Sequence, residues 1–369
     1  MTELKIRLGE FRTTDEMKSI VNEVIDSGRI TESVGKYTKL YEKDFAKYIG
    51  VKHCIVCVNG TAALMLVLKA VQIINGKILR FAVPATTFPA TLNSVLLTDN
   101  DAYMTDVFEN MQINIDEKTI IENKIDGILP VHLLGYPSDM ENIIKLKEKF
   151  GLFVLEDCCE ALGSSFNGKK VGSFGNAGVF SQFMSHPCGI GEFGCVTTDS
   201  DELARVIRSI KNHGRTGSNL EFLHDYLGYN FKVTEFMSGL AWSSLKDVDE
   251  VIRKRQDNVF YMNDRIRNKN IKTMPSSREC SYLGFPLIAS SKEYRDFLVK
   301  KLTESGVETR KMFPCLANQK AYQLNLSVNE VRKKLPVSQM IEDRYFYLPC
   351  HQYLTLYELD YMIGVINSN

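Results

Sequence analysis

Across the first two-thirds of the chain, short apolar runs alternate with stretches of helical periodicity, and this alternation limits the possible folds more than any other feature. The runs are Cys54–Val58, Ile78–Val83, Gly127–Val131, Leu152–Leu155, Ala177–Ser181 and Gly194–Thr198. Between them lie helical patterns at Thr61–Gln72, Pro89–Leu97, Met140–Lys149 and Asp201–Asn212. Strands that are apolar throughout and separated by helices predict a mostly parallel sheet covered on both faces, an α/β architecture. Beyond about residue 245 a long charged helical pattern, Leu245–Arg267, leads to a strand-like run at Tyr282–Ile288 and a helix at Lys292–Ser305. The chain ends on another helical pattern, in which Thr355 and Glu358 form a capping box. A chain of 369 residues is long for one core. The expected division is a large unit at 1–245, amino-terminal arm included, and a smaller α+β unit at 246–369.

Forty-five basic residues balance 45 acidic ones, so no global field favours nucleic acid or an anionic membrane. No uncharged stretch reaches membrane-spanning length. The opening Met1–Arg7 alternates charge with apolar residues, unlike a signal peptide. Nine cysteines, an odd number set mostly in apolar runs, are expected to be reduced and buried, as in a cytoplasmic protein. Cys54 and Cys57 lie three apart on a predicted strand and face opposite sides, which prevents them from sharing a metal.

In sheets of this kind ligands bind at the carboxyl ends of strands, and four candidate positions fall there. In Val58–Ala63, Gly60 lets the backbone turn sharply and the following helix offers N–H groups that suit a phosphate; taken alone, the same turn reads first as an ordinary turn with a helix cap. Glu156 and Asp157 follow a buried strand, where a carboxylate needs a partner: a protonated pyridine nitrogen, or a plain Arg or Lys. Phe88, just past another strand, either stacks on a flat ring or belongs to the core. The polar, glycine-rich Ser181–Gly194 segment links two strands, and its one group titrating near neutrality is His186.

Taken together and in order, these segments resemble the fold-type I pyridoxal-phosphate enzymes of nucleotide sugars, the DegT/DnrJ/EryC1/StrS aminotransferase family. The likeness runs nearly end to end, through Lys43–His53, Leu155–Ser164, Asn212–Arg215, Gly228–Glu235 and Thr309–Pro314. It implies that Gly60, Thr61 and Ser181 hold the cofactor phosphate, that Asp157 pairs with the pyridine nitrogen, and that Phe88 covers the ring. Glu160 falls where many relatives carry Gln near the ring hydroxyl, and Asn230 would reach the phosphate of a neighbouring subunit, implying a homodimer with shared sites. Arg215 and Arg310 are candidates for a substrate diphosphate, or else surface or interface residues.

One departure bears on the reaction. Family aminotransferases carry a lysine where this chain has His186, and an imidazole forms no stable Schiff base with the cofactor aldehyde. Lys169 and Lys170, in the hairpin-like Asn167–Gly172, are expected to face solvent. A histidine there resembles the sugar 3-dehydratase subgroup, typified by GDP-4-keto-6-deoxymannose 3-dehydratase. The implied chemistry uses non-covalent pyridoxal phosphate, converted to pyridoxamine phosphate by L-glutamate. Its amine condenses with a nucleotide-linked 4-keto-6-deoxy sugar, His186 removes a proton, the neighbouring hydroxyl leaves, and hydrolysis releases ammonia. The stretch Lys211–Tyr229 has no cysteine, so the iron–sulfur cluster of some relatives is not expected. Phe193 replaces a family glycine and is expected to narrow the pocket or reshape its loop. The alternatives are a sugar aminotransferase lacking the Schiff-base lysine, and a non-catalytic relative that binds cofactor or sugar nucleotide.

Overall fold

The computed structural model describes residues 5–33, 35–217, 221–323 and 334–368. Its strands are β1 (His53–Cys57), β2 (Arg80–Pro84), β3 (Asp101–Thr105), β4 (Gly127–Ile128), β5 (Phe153–Asp157), the hairpin pair β6 (Ser165–Phe166) and β7 (Lys169–Lys170), β8 (Ala177–Ser181), β9 (Gly194–Thr198), β10 (Ile271–Thr273), β11 (Phe285–Ala289), β12 (Arg310–Lys311) and β13 (Tyr345–Leu348). Seven of them form the large sheet, in the order β1-β9-β8-β5-β4-β2-β3. The pairs from β3 to β8 are parallel, as the apolar runs predict. Strand β9 alone runs the other way, antiparallel to both β8 and β1. Every other strand therefore ends on one edge of the sheet, and β9 begins there. Most of the candidate site residues collect on that edge.

Strand β3 escapes the sequence pattern because it is an edge strand, half-buried over most of its length; it opens on Asp101, which pairs with Arg80 at 2.5 Å. The predicted Leu245–Arg267 helix is two: one ends at Leu245 and the next spans Val248–Asn263. The predicted Tyr282–Ile288 strand starts later, at Phe285, after Tyr282 takes a positive φ of 52°. The capping box forms as expected, with Glu358 N–H donating to Thr355 Oγ1 and Thr355 N–H to Glu358 Oε2.

A second, antiparallel sheet, β10-β11-β13-β12, lies in residues 271–348 and packs into the same apolar core as the large sheet. The amino-terminal arm joins this part of the chain: Lys5 N–H donates to Gly306 O at 2.8 Å and Glu308 N–H to Ile6 O at 2.8 Å. Farther along, buried Glu235 caps the helix Tyr37–Ile49, accepting the N–H groups of Tyr37 at 2.8 Å and Thr38 at 3.0 Å. Cys54 and Cys57 fall in different core clusters on opposite faces of β1, and the nine cysteines are all free. No helix among the described residues is long and apolar enough to cross a membrane.

Candidate active site

At the shared strand edge a cavity holds about 1120 Å³ of empty space, its open mouth included. Its walls include Gly60, Thr61, Phe88, Asp157, Glu160, Ser181, His186 and Arg310, brought together from positions up to 250 residues apart. Two other candidates lie outside these walls. Asn230 is exposed and bridges to Asn212, and the Arg215 guanidinium stacks over Phe222 at 4.7 Å.

One end of the cavity is the start of the helix Gly60–Asn75. Asn59 Oδ1 caps it, accepting Ala62 N–H at 2.9 Å, while the N–H groups of Gly60 and Thr61 have no intrahelical acceptor. The expected reason for Gly60 needs correction. Its φ is not left-handed; it is the first helical residue, and glycine is required by close approach. A Cβ there would lie 2.6 Å from Cys159 Sγ and 3.0 Å from Ser181 Cβ. Gly194 plays the reciprocal part, since a Cβ on it would sit 2.7 Å from Gly60 N. Helix N-terminus, β5 end and β8 end are thereby pressed together into a corner that includes the Ser181 hydroxyl and whose free N–H groups suit an anion.

On the other side stand two adjacent carboxylates with separate duties. Glu156 is fully buried and faces away from the cavity. Its Oε1 accepts Phe174 N–H at 2.8 Å and Gly175 N–H at 2.7 Å, and its Oε2 accepts Gly172 N–H at 2.8 Å. His132 Nδ1 accepts Ser138 N–H, so Nε2 carries the proton and turns it to Glu156 Oε2 at 3.3 Å. With Cys158 Sγ donating to Glu156 O at 3.8 Å, these bonds occupy the atoms by which His132, Glu156 and Cys158 would otherwise offer a metal site. Asp157 faces the cavity. It accepts the Thr91 hydroxyl at 2.8 Å and Cys159 N–H at 3.2 Å, and no Lys or Arg pairs with it among the described residues. Of the two partners open to Asp157 from sequence, the cationic side chain is therefore absent. A buried carboxylate with only neutral donors fits a protonated ring nitrogen.

Phe88 is 55% exposed and packs edge-on against Phe313 at 5.8 Å, so its ring belongs to the cavity and not to the core. Glu160 accepts Leu134 N–H at 2.7 Å, and burial, reinforced by the charge of Asp157, pushes its carboxyl up to about 7.

His186 closes the arrangement. Its Nδ1 lies 3.2 Å from Ser181 O, which can only accept, so Nδ1 bears the proton and Nε2 keeps the lone pair. Burial, with the Arg255 charge in the same sense, holds the imidazole down at about 4, so it is neutral at physiological pH. None of the described cavity-lining residues is a lysine. Lys169 is exposed, its ammonium over the Phe174 ring. Lys170 corrects the expectation: it turns inward, half-buried, donating to Gly163 O at 2.9 Å and Tyr48 Oη at 3.2 Å. Of the two alternatives for Phe193, narrowing of the pocket is not what the structure has: its ring is fully buried, edge-on to Tyr41 at 4.9 Å, and does not line the cavity.

Sequence reasoning missed the contribution of the second sheet. Tyr347, and Leu283 just before β11, join Arg310 in the cavity wall, Arg310 and Tyr347 being cross-strand partners on β12 and β13. It also missed Arg255, buried behind His186.

Comparison with known proteins places this architecture. The profile of the DegT/DnrJ/EryC1/StrS aminotransferase family matches residues 12–367. The chain is 32% identical over 324 residues to GDP-4-keto-6-deoxy-D-mannose 3-dehydratase of Yersinia pseudotuberculosis, covering 81% of this chain and 82% of that one. It is 30% identical over 359 residues to GDP-perosamine synthase of Escherichia coli O157:H7, covering 96% of each. The solved E. coli GDP-4-keto-6-deoxy-D-mannose-3-dehydratase with bound hydrated pyridoxal phosphate superposes with a TM-score of 0.86 at 25% identity, over 99% of this chain and 100% of that one.

Proposed function

The chain belongs to the DegT/DnrJ/EryC1/StrS aminotransferase family, and within it we propose that this protein is a lyase: a glutamate-dependent 3-dehydratase of a nucleotide-linked 4-keto-6-deoxy sugar. The observation that carries the reading is the neutral His186 in a cavity wall without a lysine. Relatives of similar identity are named for dehydration and for perosamine synthesis, so the choice between the two rests on the site.

In this reading the cofactor is bound without a covalent link. The Gly60 and Thr61 N–H groups and the Ser181 hydroxyl hold its phosphate, Asp157 its ring nitrogen, Phe88 its face and Glu160 its ring hydroxyl. Bound pyridoxamine phosphate supplies a primary amine for the sugar's keto carbon and a conjugated ring that takes up an electron pair. His186 Nε2 accepts the proton released, and the Nδ1–H bond to Ser181 O keeps that atom the basic one. A lysine amine would offer its proton back to the sugar carbon. An imidazolium in a site that disfavours its charge gives its proton up readily, which suits it to protonating a departing hydroxyl. Arg310 contacts the substrate's diphosphate. Asn230 and Arg215, outside the cavity of their own protomer, serve the cavity of a second subunit.

The test loads the purified protein with pyridoxal phosphate, adds L-glutamate and follows the absorption spectrum, with borohydride reduction and intact-mass analysis in parallel. Conversion of the aldehyde band with 2-oxoglutarate release and no mass increment supports the reading. Screening 4-keto sugar nucleotides for ammonia and a 3-deoxy product follows. Borohydride fixation to a lysine would return the protein to ordinary transamination. Cofactor binding without any response to glutamate or sugar would make it a binding protein.

A further inference from the structure

Arg255 is among the largest side chains buried without solvent contact, at 1% exposure, and no carboxylate pairs with it among the described residues. Its five N–H groups are spread over three segments. Nη1 donates to Tyr282 O at 2.9 Å and Leu283 O at 3.4 Å, and Nε to Gln352 Oε1 at 3.1 Å. Nη2 donates to Ser185 O at 3.3 Å and His186 O at 3.5 Å. A buried cation without a counter-charge is costly to keep, and an apolar side chain of similar size would fill the space at lower cost. What an apolar residue lacks is the planar fork that ties the segment before β11 and the residue after β13 to the backbone of the His186 loop.

We propose that Arg255 is the positioning residue of the base, holding the Ser185–His186 backbone so that the imidazole stays over the cavity with Nε2 inward; this rests on the assignment of His186 as the base. Two further contacts complete the hold on the loop. Gly189 N–H donates to His186 O at 3.0 Å, and the amino-terminal arm presses on Ser185, where a Cβ on Gly9 would meet its Cα at 2.6 Å. The titratable groups around the guanidinium are Cys188 on the loop itself and Cys350, His351 and Tyr353 after β13; Asp247 and Asp249 act on Cys188 from the start of the Val248–Asn263 helix. None of these carboxylates bonds to Arg255 or His186, and the guanidinium charge acts on the imidazole in the same sense as burial.

The readout that does not depend on turnover is the His186 ring. Its pKa and tautomer are read by NMR of the six histidines in the full chain with pyridoxal phosphate added, assigned by the signal lost in His186→Gln. Arg255→Lys keeps the charge and loses the fork, while Arg255→Met loses both. Both variants are expected to bind pyridoxal phosphate as the parent does. Arg255→Lys should lose the Nδ1–H hydrogen-bond signature and lower kcat for the glutamate half-reaction by about 10- to 100-fold with KM unchanged. Arg255→Met should in addition raise the His186 pKa and leave exposed His213 and His224 where they were. A folded Arg255→Lys protein with the parental His186 signature and kcat would overturn the proposal, and that variant decides alone if Arg255→Met does not fold. Should the parent itself show no glutamate chemistry, the assignment of the base fails, while the His186 ring still reports on Arg255.

Discussion

The adjacent carboxylates of β5 allow a test in which stability and function separate at neighbouring residues. In Glu156→Gln one carboxylate oxygen becomes an NH2 group. The remaining oxygen can keep the Phe174 and Gly175 N–H bonds, but the NH2 then opposes Gly172 N–H and the His132 Nε2 proton. His132 cannot move that proton to Nδ1, which accepts from Ser138 N–H. Two bonds to the charged oxygen are lost, from Gly172 N–H at 2.8 Å and His132 Nε2–H at 3.3 Å, at about 1.5–3 kcal/mol each, so the fold should lose about 3–6 kcal/mol. Asp157→Asn can keep its oxygen for Cys159 N–H and turn its NH2 to the Thr91 hydroxyl, which accepts as well as donates, a change of about 1 kcal/mol or less. Urea unfolding of the cofactor-free proteins, compared at a common slope, measures both. Pyridoxal phosphate titration then reads function: Asp157→Asn should bind far more weakly, and Glu156→Gln, where folded, close to normally. Equal destabilisation by the two variants, or intact cofactor affinity in Asp157→Asn, would refute this division of labour.

Three further outcomes are expected. Because burial holds His186 at about 4, below its unfolded value near 6.5, the unfolded chain binds the extra proton first. Stability contributed by the neutral imidazole is therefore present above about pH 6.5 and lost toward pH 4, and His186→Gln should flatten the unfolding midpoint across that window. Glu160 has the opposite sign: its carboxyl is raised to about 7, so stability is lost as pH climbs from about 4.5 through 7. Glu160→Gln should then be relatively more heat-stable than the parent at pH 8, and an unchanged ratio of melting temperatures between pH 5 and pH 8 would count against it. Phe193→Ala removes a fully buried ring packed on Tyr41 and should cost about 3–5 kcal/mol in urea unfolding. Cofactor affinity should hold, and a shift in affinity at full stability would put the ring back in the cavity.

The large sheet was legible because most of its strands are apolar on both faces, a pattern that only a covered sheet satisfies. Strand β3 was not, since an edge strand that begins Asp101-Ala-Tyr lacks that pattern. The cavity's cofactor side was legible for a related reason: Gly60, Phe88, Asp157 and Ser181 each follow or end a strand whose direction fixes the edge. The far wall was hidden because Leu283 and Tyr347 sit in an ordinary apolar run and strand, and only the tertiary fold brings them to the cavity. Arg255 did leave a trace. It lies three residues after Ile252 and four before Val259, on the buried stripe of its helix with Val248 and Met262, where a solvated arginine has no place. Gly60 carried the opposite lesson: the residue was identified, but the reason was tertiary, since the Cys159 and Ser181 atoms that forbid a Cβ are about a hundred residues or more away.

The charges of the cavity bear on how the site is completed. Its described walls carry Asp157, Glu160 and Glu192 against a single cation, Arg310, with His186 neutral. The helix N-terminus adds roughly half a positive charge at the Gly60 corner, enough to favour a phosphate there but remote in function from the Arg310 side. Glutamate carries two carboxylates and a sugar nucleotide at least two phosphate charges, so one protomer's walls leave either substrate short of partners. In the dimer reading, a second subunit's Arg215 and Asn230 would supply donors at the cavity mouth. Both residues stand outside the cavity walls of their own chain, as that reading needs. The neutral imidazole gains from the same arrangement. With every added charge brought by substrate or partner, His186 can remain uncharged until it accepts its proton.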